Sequence, residues 1–182
     1  AFDYSSMAND VGVDAKTIRH WISILEASFI LFKLPPYFDN FGKRVIKSPK
    51  YYFVEVGLLC FLLGIREASQ LSRDPLVGQV FENLVVLEAL KARYNRGRVP
   101  DLYYFRDSKR NEVDLLAQSG RALRAIEVKS ATTFKMDQLK GLRRFQLITD
   151  RMEAGFLVYN GKPHALSDAV HAINYKDVHR IF

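Results

Sequence analysis

Two carboxylates and a lysine stand out in NEVDLLAQSGRALRAIEVKS, residues 111–130. Asp114 falls in the first of two alternating runs, and Glu127 and Lys129 flank Val128 in the second. Asp and Glu are poor strand formers, and charge on an inner sheet face is costly. A hairpin turning at Ser119-Gly120 sets Asp114 opposite Ala125 and Glu112 opposite Glu127. Strand alternation then predicts that Glu112, Asp114, Ala125, Glu127 and Lys129 share one face, and that Val113, Leu115, Ile126 and Val128 share the other. Asp114 and Glu127 become diagonal neighbours. Converging carboxylates repel each other, and a hard divalent cation that takes oxygen ligands and keeps several waters relieves that repulsion. Magnesium or manganese fits best. A lysine on the same face can orient a water and offset charge building on a phosphate oxygen. Such a set suits phosphodiester hydrolysis. The competing reading is a solvent-facing hairpin in which Lys129 simply pairs with Glu127 or Asp114. His20, His164, His171 and His179 show no metal-ligand spacing, and no serine has a histidine and acid in triad context.

The elements around this hairpin must position it. DPLVGQVFENLVVLEALKARYNRG, from Asp74, reads as one long amphipathic helix, with Pro75 in its first turn and Gly97 as its stop. Leu76, Val77, Val80, Phe81, Leu84, Val85, Leu87 and Leu90 form its apolar arc. Glu82 projects just off that arc, beside Gly78 and Ala89, whose small side chains leave room for another element. Three strand-like runs follow, DLYYFRD, EVDLLAQ and RALRAIEVKS. A helical KMDQLKGLRRFQLIT then carries Gln138, Lys140, Arg143 and Arg144, before a final strand AGFLVYNG. Hairpin strands followed by a crossover helix and another strand predict a mixed sheet with helices against it, an α/β domain over residues 70–182.

Residues 1–69 differ in character. In SSMANDVGVDAKTIRHWISILEAS a short helix stops at Gly12, and Asp14 caps a second that starts at Ala15. Ile18, Trp21, Ile22 and Leu25 form its inward stripe, leaving Lys16, Thr17, Arg19, His20 and Ser23 outside to meet phosphates or base edges. FILFKLPPYF and KRVIKSPKYYFVE, around a polar FDNFGK link, read as a β-hairpin. Helix-turn-helix plus hairpin describes a winged helix-turn-helix.

The formal charge of +7 and pI near 9.5 favour a polyanionic partner. Residues 1–69 hold eight Lys/Arg against seven Asp/Glu and the remainder nineteen against thirteen, so the surplus lies mainly in the second part. A single cysteine, Cys60 in the apolar run GLLCFLLG, excludes an intrachain disulfide and is read as a core residue of a protein in the reducing cytoplasm. That run is too short to span a bilayer, and no charged-then-apolar leader opens the chain, so no membrane partner is expected. Opening at Ala1 in what reads as the middle of a fold, the chain is expected to be part of something longer.

Asp114, Glu127 and Lys129, following a helix with Glu82, resemble the pattern of the PD-(D/E)XK nucleases, the restriction-endonuclease-like fold. By that resemblance Asp114 is the motif aspartate, Glu127 the variable acidic position, Lys129 the lysine, Glu82 a supporting ligand and Gln138 the polar residue after the lysine. Val113 stands where the motif has proline. Nearly the whole chain, through DYSSMANDVGVDAKTIRHWISILEASFILFKLPPYF, KSPKYYFVEVGLLCFLLG, GQVFENLVVLEALK, EVDLL and IEVKS, resembles the C-terminal region of prokaryotic AAA-type ATPases. That resemblance implies an N-terminal P-loop ATPase domain as partner, and no GxxxxGK[ST] occurs here. Glu55 stands where the family has aspartate. Two functions are expected from these readings: a magnesium- or manganese-dependent DNA nuclease, or a non-catalytic module that binds nucleic acid or a protein for the ATPase. A winged-helix transcription regulator is a third, though it leaves the large second domain without a purpose.

Overall fold

A computed structural model of the chain describes residues 2–38 and 48–182. Two short helices come first, α1 (Tyr4–Val11) and α2 (Ala15–Ala27). The Asp3 carboxylate accepts from the N–H groups of Ser5 and Ser6, and Gly12 ends α1 at φ 79°, a left-handed geometry that glycine adopts without penalty. Asp14 caps α2 by accepting from Thr17 N–H at 2.7 Å, as the sequence spacing predicts. Ile18 and Ile22 are buried, but Trp21, expected in the inward stripe, is 45% exposed. Among the described residues the helix packs mainly on α1 and the short strand that follows it, too narrow a surface to cover the whole stripe.

Strand β1 (Leu31–Leu34) pairs antiparallel with β2 (Lys50–Phe53), from Leu31 opposite Phe53 to Leu34 opposite Lys50. The polar link after Phe38, and the KRVIK that opens the next run, lie outside the described residues. Helix α3 (Val56–Leu62) starts at Glu55, whose Oε1 accepts from Gly57 N–H at 2.9 Å, so the glutamate does the work of an N-cap. The apolar run here is not core. Phe61 and Leu62 are more than half exposed and Cys60 is partly exposed, because among the described residues α3 is covered mainly by β2 and the long helix to follow.

After the single turn α4 (Ala68–Leu71) comes α5 (Val77–Tyr94). Leu76, placed on its apolar arc by periodicity, precedes the helix and is exposed, whereas Asn83 and Val86 are buried. Burial runs nearly all round the helix because β2 covers its outer side while the main sheet covers the inner. Asn83 ties that outer layer down: its Oδ1 accepts from Phe53 N–H and its Nδ2 donates to Phe53 O, each at 2.8 Å. Asn83→Ala leaves both backbone groups unpaired, and urea unfolding should show a loss of about 1–3 kcal/mol.

The remaining strands are β3 (Leu102–Arg106), β4 (Glu112–Ser119), β5 (Ala122–Lys129), β6 (Met152–Tyr159), β7 (His164–Ser167) and β8 (Val170–Asn174). A 3-10 turn and helix α6 (Lys140–Gln146) cross from β5 to β6. The six strands form one mixed sheet in the order β3-β4-β5-β6-β8-β7, with β5, β6 and β8 parallel and the outer pairs antiparallel. The fold class is thus mixed α/β. AGFLVYNG is not the last strand: β7 and β8 follow in a polar stretch whose histidines and serines hide the alternation.

Helix α5 covers one sheet face, with Val85, Val86, Leu115, Ile126 and Val158 between them. Helix α6 covers the other over Leu116, Leu142, Phe145 and Leu157. Residues of the first segment enter both layers, Leu34 and Tyr52 on the α5 side and Tyr37 on the α6 side. Pro35–Tyr37 also pairs with the open edge of β3, Tyr37 N–H donating to Tyr104 O at 2.7 Å and Tyr104 N–H to Pro35 O at 3.1 Å.

The central hairpin departs from expectation twice. Ser119 pairs with Ala122 and Leu116 with Ala125, so the loop is Gly120-Arg121 rather than Ser119-Gly120. Gly120 takes φ 60° at the first loop position, where a tight two-residue turn requires glycine. Continued past Leu115–Ile126, this register sets Asp114 directly opposite Glu127, not opposite Ala125. The second departure is a bulge. Between Tyr103–Leu116 and Phe105–Val113 the β4 strand carries one residue more than β3. Val113 consequently turns to the α6 side, against Phe105 and Leu142, and not to the α5 side with Leu115.

Candidate functional site

The bulge and register bring Asp114, Glu127 and Lys129 together. Lys129 Nζ lies 3.2 Å from Glu127 Oε2 and 3.5 Å from Asp114 Oδ2. Asp114 Oδ2 also accepts from Val128 N–H at 2.8 Å, so the carboxylate takes over a backbone donor where the bulge interrupts the ladder. Glu127 is only 5% exposed. Burial, with the Asp114 carboxyl beside it and only partial relief from Lys129, pushes its pKa up to about 9, so it keeps its proton at neutral pH. Lys129 is held above its ordinary value: burial pulls it down, but Asp114 and Glu127 outweigh that.

A raised carboxyl means that the folded chain binds a proton the unfolded chain has lost. Between the ordinary value of 4.5 and the folded value of about 9, the unfolded state holds fewer protons, and stability falls as pH rises. Thermal unfolding in EDTA should therefore show a melting temperature that declines across this window in the wild type and much less in Glu127→Gln. Equal slopes would show that Glu127 ionises normally.

These three residues form the floor of a cleft of about 470 Å³. One wall is the 3-10 turn (Met136–Leu139) and α6, bringing Gln138, Lys140 and Arg144; the other is the β3–β4 turn with Lys109 and Arg110. Buried Asp107 shapes that turn, its Oδ1 accepting from Lys109 N–H at 2.8 Å and Asn111 N–H at 2.9 Å. Arg144 bridges the walls by donating to Asn111 Oδ1 at 2.5 Å. Gln138 Oε1 accepts from Lys135 N–H at 2.9 Å and so fixes the turn it lines. Arg143 points elsewhere, with Nη2 3.9 Å from the Met136 sulfur, and does not line the cleft. Helix α6 can sit this close because Gly141 has no side chain: a Cβ there would stand 1.7 Å from Glu127 Oε1 and 2.5 Å from Glu112 O.

Glu82 is not on the cleft floor. Its Oε1 accepts from Lys50 Nζ at 2.9 Å and from Tyr52 OH at 2.6 Å. Strand β2 approaches α5 at Glu82 and Asn83, while Gly78 is exposed with open space beside it and admits no element. Lys50 also lies 2.7 Å from Glu112 Oε1, and Arg106 Nε stands 3.4 Å from Glu112 Oε2. No pattern in the sequence marks Lys50, Tyr52, Lys109 or Arg110. Lys50 is 32 residues from Glu82, in a different segment, and only tertiary packing joins them. On α2, Lys16, Arg19 and His20 are exposed, and Thr17 is engaged with Asp14; none lines the cleft. Among the described residues no group of three or more His, Cys, Asp or Glu converges as a metal set; Asp114 and Glu127 line the cleft together with Glu112 and Asp137. Also among the described residues, no helix is long and apolar enough to cross a membrane.

Fold and cleft define a mixed α/β protein with a carboxylate–lysine floor. Residues 77–178 match the domain of unknown function DUF4143, and the chain belongs to that family. Residues 1–69 match a second domain of unknown function, DUF8612. The uncharacterized proteins Rv2008c of Mycobacterium tuberculosis and Mb2031c of Mycobacterium bovis are each 33% identical over 175 residues, 94% of this chain. The chain spans only 38% of the length of each. No solved structure matches it.

Proposed function

We propose that this chain is a divalent-metal-dependent nuclease module of the PD-(D/E)XK type, cleaving DNA phosphodiesters in the cytoplasm beside an ATPase domain of a longer protein. The observation that carries the reading is the convergence of Asp114, Glu127 and Lys129 at the base of an open cleft with cationic walls. A buried carboxyl that keeps its proton beside a second carboxyl suits a cation that would replace that proton, and magnesium commonly binds through one or two carboxylates. Asp114 and Glu127 would hold it. Bound there, magnesium or manganese supplies Lewis-acid polarisation of a phosphoryl oxygen and a lowered pKa for water.

The chain's own groups do the rest. Lys129 orients the attacking water and balances charge developing on the phosphate. Lys109, Arg110, Lys140 and Arg144 stand on the cleft walls to hold the flanking phosphates, while Gln138 keeps the wall in place. A helix-turn-helix with a two-stranded sheet, α1 to β2, supports the winged-helix reading; Lys16, Arg19 and His20 on α2 would contact the DNA backbone. An ATPase partner is supported by the resemblance to AAA-associated C-terminal regions and by relatives much longer than this chain.

The test is incubation of a full-length family member with plasmid and branched DNA in magnesium or manganese, against EDTA. Cleavage only with the divalent ion is expected; its complete absence refutes the enzyme. A second reading, a non-catalytic module that binds DNA or a protein for the ATPase, is favoured by the ion pairing: each of the four nearby carboxyl groups already has a lysine partner. Binding that weakens steeply with salt and is never followed by cleavage is its signature.

A further inference from the structure

Four carboxyl groups, from Glu82, Glu112, Asp114 and Glu127, lie within reach of two lysines, and the lysines divide them into pairs. Lys129 takes Asp114 and Glu127 on the cleft floor. Lys50 takes Glu82 and Glu112, at 2.9 and 2.7 Å, in a more enclosed setting where its side chain is 14% exposed. Tyr52 adds a hydrogen bond to Glu82, and the Tyr104 ring lies 5.3 Å from the Lys50 ammonium. The two clusters are not alike. The Lys129 pair opens on the cleft, whereas Glu82 and Lys50 face a second cleft between β2 and α5.

We infer that Lys50 is a positioning residue that acts as a built-in counter-cation, bridging Glu82 and Glu112, the latter also flanked by Arg106, so that divalent-ion binding is confined to Asp114 and Glu127. A compact ammonium between two carboxylates occupies the position a second hard cation would need, and it is tethered, so no free ion competes with it at ordinary concentrations. Lys50 stays charged there: burial disfavours the cation, but Glu82, Asp114 and Glu112 outweigh that cost. The arrangement also makes the candidate site dependent on β2, which belongs to the first 69 residues of the chain. Its metal arm rests on the nuclease reading, and the experiment separates the two.

Manganese titrations by calorimetry on this chain, without DNA, test it. The wild type should bind one ion, lost in Glu127→Gln. Glu82→Gln, a near-isosteric change, should shift the affinity by less than about threefold, whereas removal of a true carboxylate ligand should weaken it by about tenfold or more. Lys50→Met should raise the stoichiometry from one ion to two, and adding Glu82→Gln to it should return it to one. A tenfold loss in Glu82→Gln, which retains the fold even if Lys50→Met does not, overturns the inference by making Glu82 a ligand. An unchanged single ion in folded Lys50→Met also overturns it. If the wild type binds no ion but Lys50→Met binds one, the counter-cation role stands and the metal at Asp114–Glu127 fails.

Discussion

Lys129→Ala should reduce metal-dependent plasmid cleavage by about a hundredfold to a thousandfold, the scale seen when one preorganised charge-stabilising donor is removed from an active site. The side chain is 38% exposed, so its loss costs little packing, and the melting temperature should stay close to that of the wild type. Two carboxyl groups are meanwhile left without their cation. Glu127, already raised by burial and by Asp114, loses the one partner that lowers it and should hold its proton more tightly still. Manganese should still bind, somewhat more weakly at neutral pH, because the proton must leave first. Retained binding with abolished cleavage is the combination that separates a catalytic lysine from a structural one. Undiminished cleavage would place the chemistry elsewhere in the protein, and cleavage lost together with the fold would make Lys129 a stability residue.

Gly141→Ala should destabilise the chain by about 3 kcal/mol or more, at the upper end of what a single added methyl does in a packed interior. The new Cβ would meet Glu127 Oε1 at 1.7 Å and Glu112 O at 2.5 Å. A flexible side chain could move away, but Glu112 O is backbone and Glu127 is enclosed, so α6 itself must lift from the sheet. Lifting it strips Leu142 and Phe145 from their places against Leu116 and Leu157. It would also widen the cleft whose wall α6 supplies. Urea unfolding measures the loss, and manganese affinity measured on the folded fraction reports the displaced Glu127. A change below about 0.5 kcal/mol, the range of ordinary surface substitutions, would show that α6 is not seated as described.

The site was legible in part because its signals are local. Asp114, Glu127 and Lys129 sit on adjoining strands of one hairpin, and strand parity survives a register error of two residues, so these three converge although the turn is expected one residue early; Glu112, expected on the same face, lies beyond the bulge and pairs with Lys50 instead. Val113 shows the limit. Parity fails wherever a bulge adds a residue, and no pattern in EVDLLAQ announces one. Trp21 and the GLLCFLLG run show another limit: an apolar stripe says which residues want cover, not whether the fold has cover to give. The β7–β8 pair was missed because its polar residues resemble a loop, and its strand character comes from the neighbouring β6 edge.

The sequence by itself determined the cap at Asp14, the succession of helix, three strands, helix and strand, and the residues that could do chemistry, since each depends on neighbours a few positions away. Tertiary structure alone decided which carboxyl groups meet on the cleft floor. Glu82 was expected to support Asp114 and Glu127, yet the ammonium of Lys50 reaches it first. That pairing joins segments 32 residues apart through the packing of β2 on α5, and charge in a closed space goes to whichever partner the fold brings within reach.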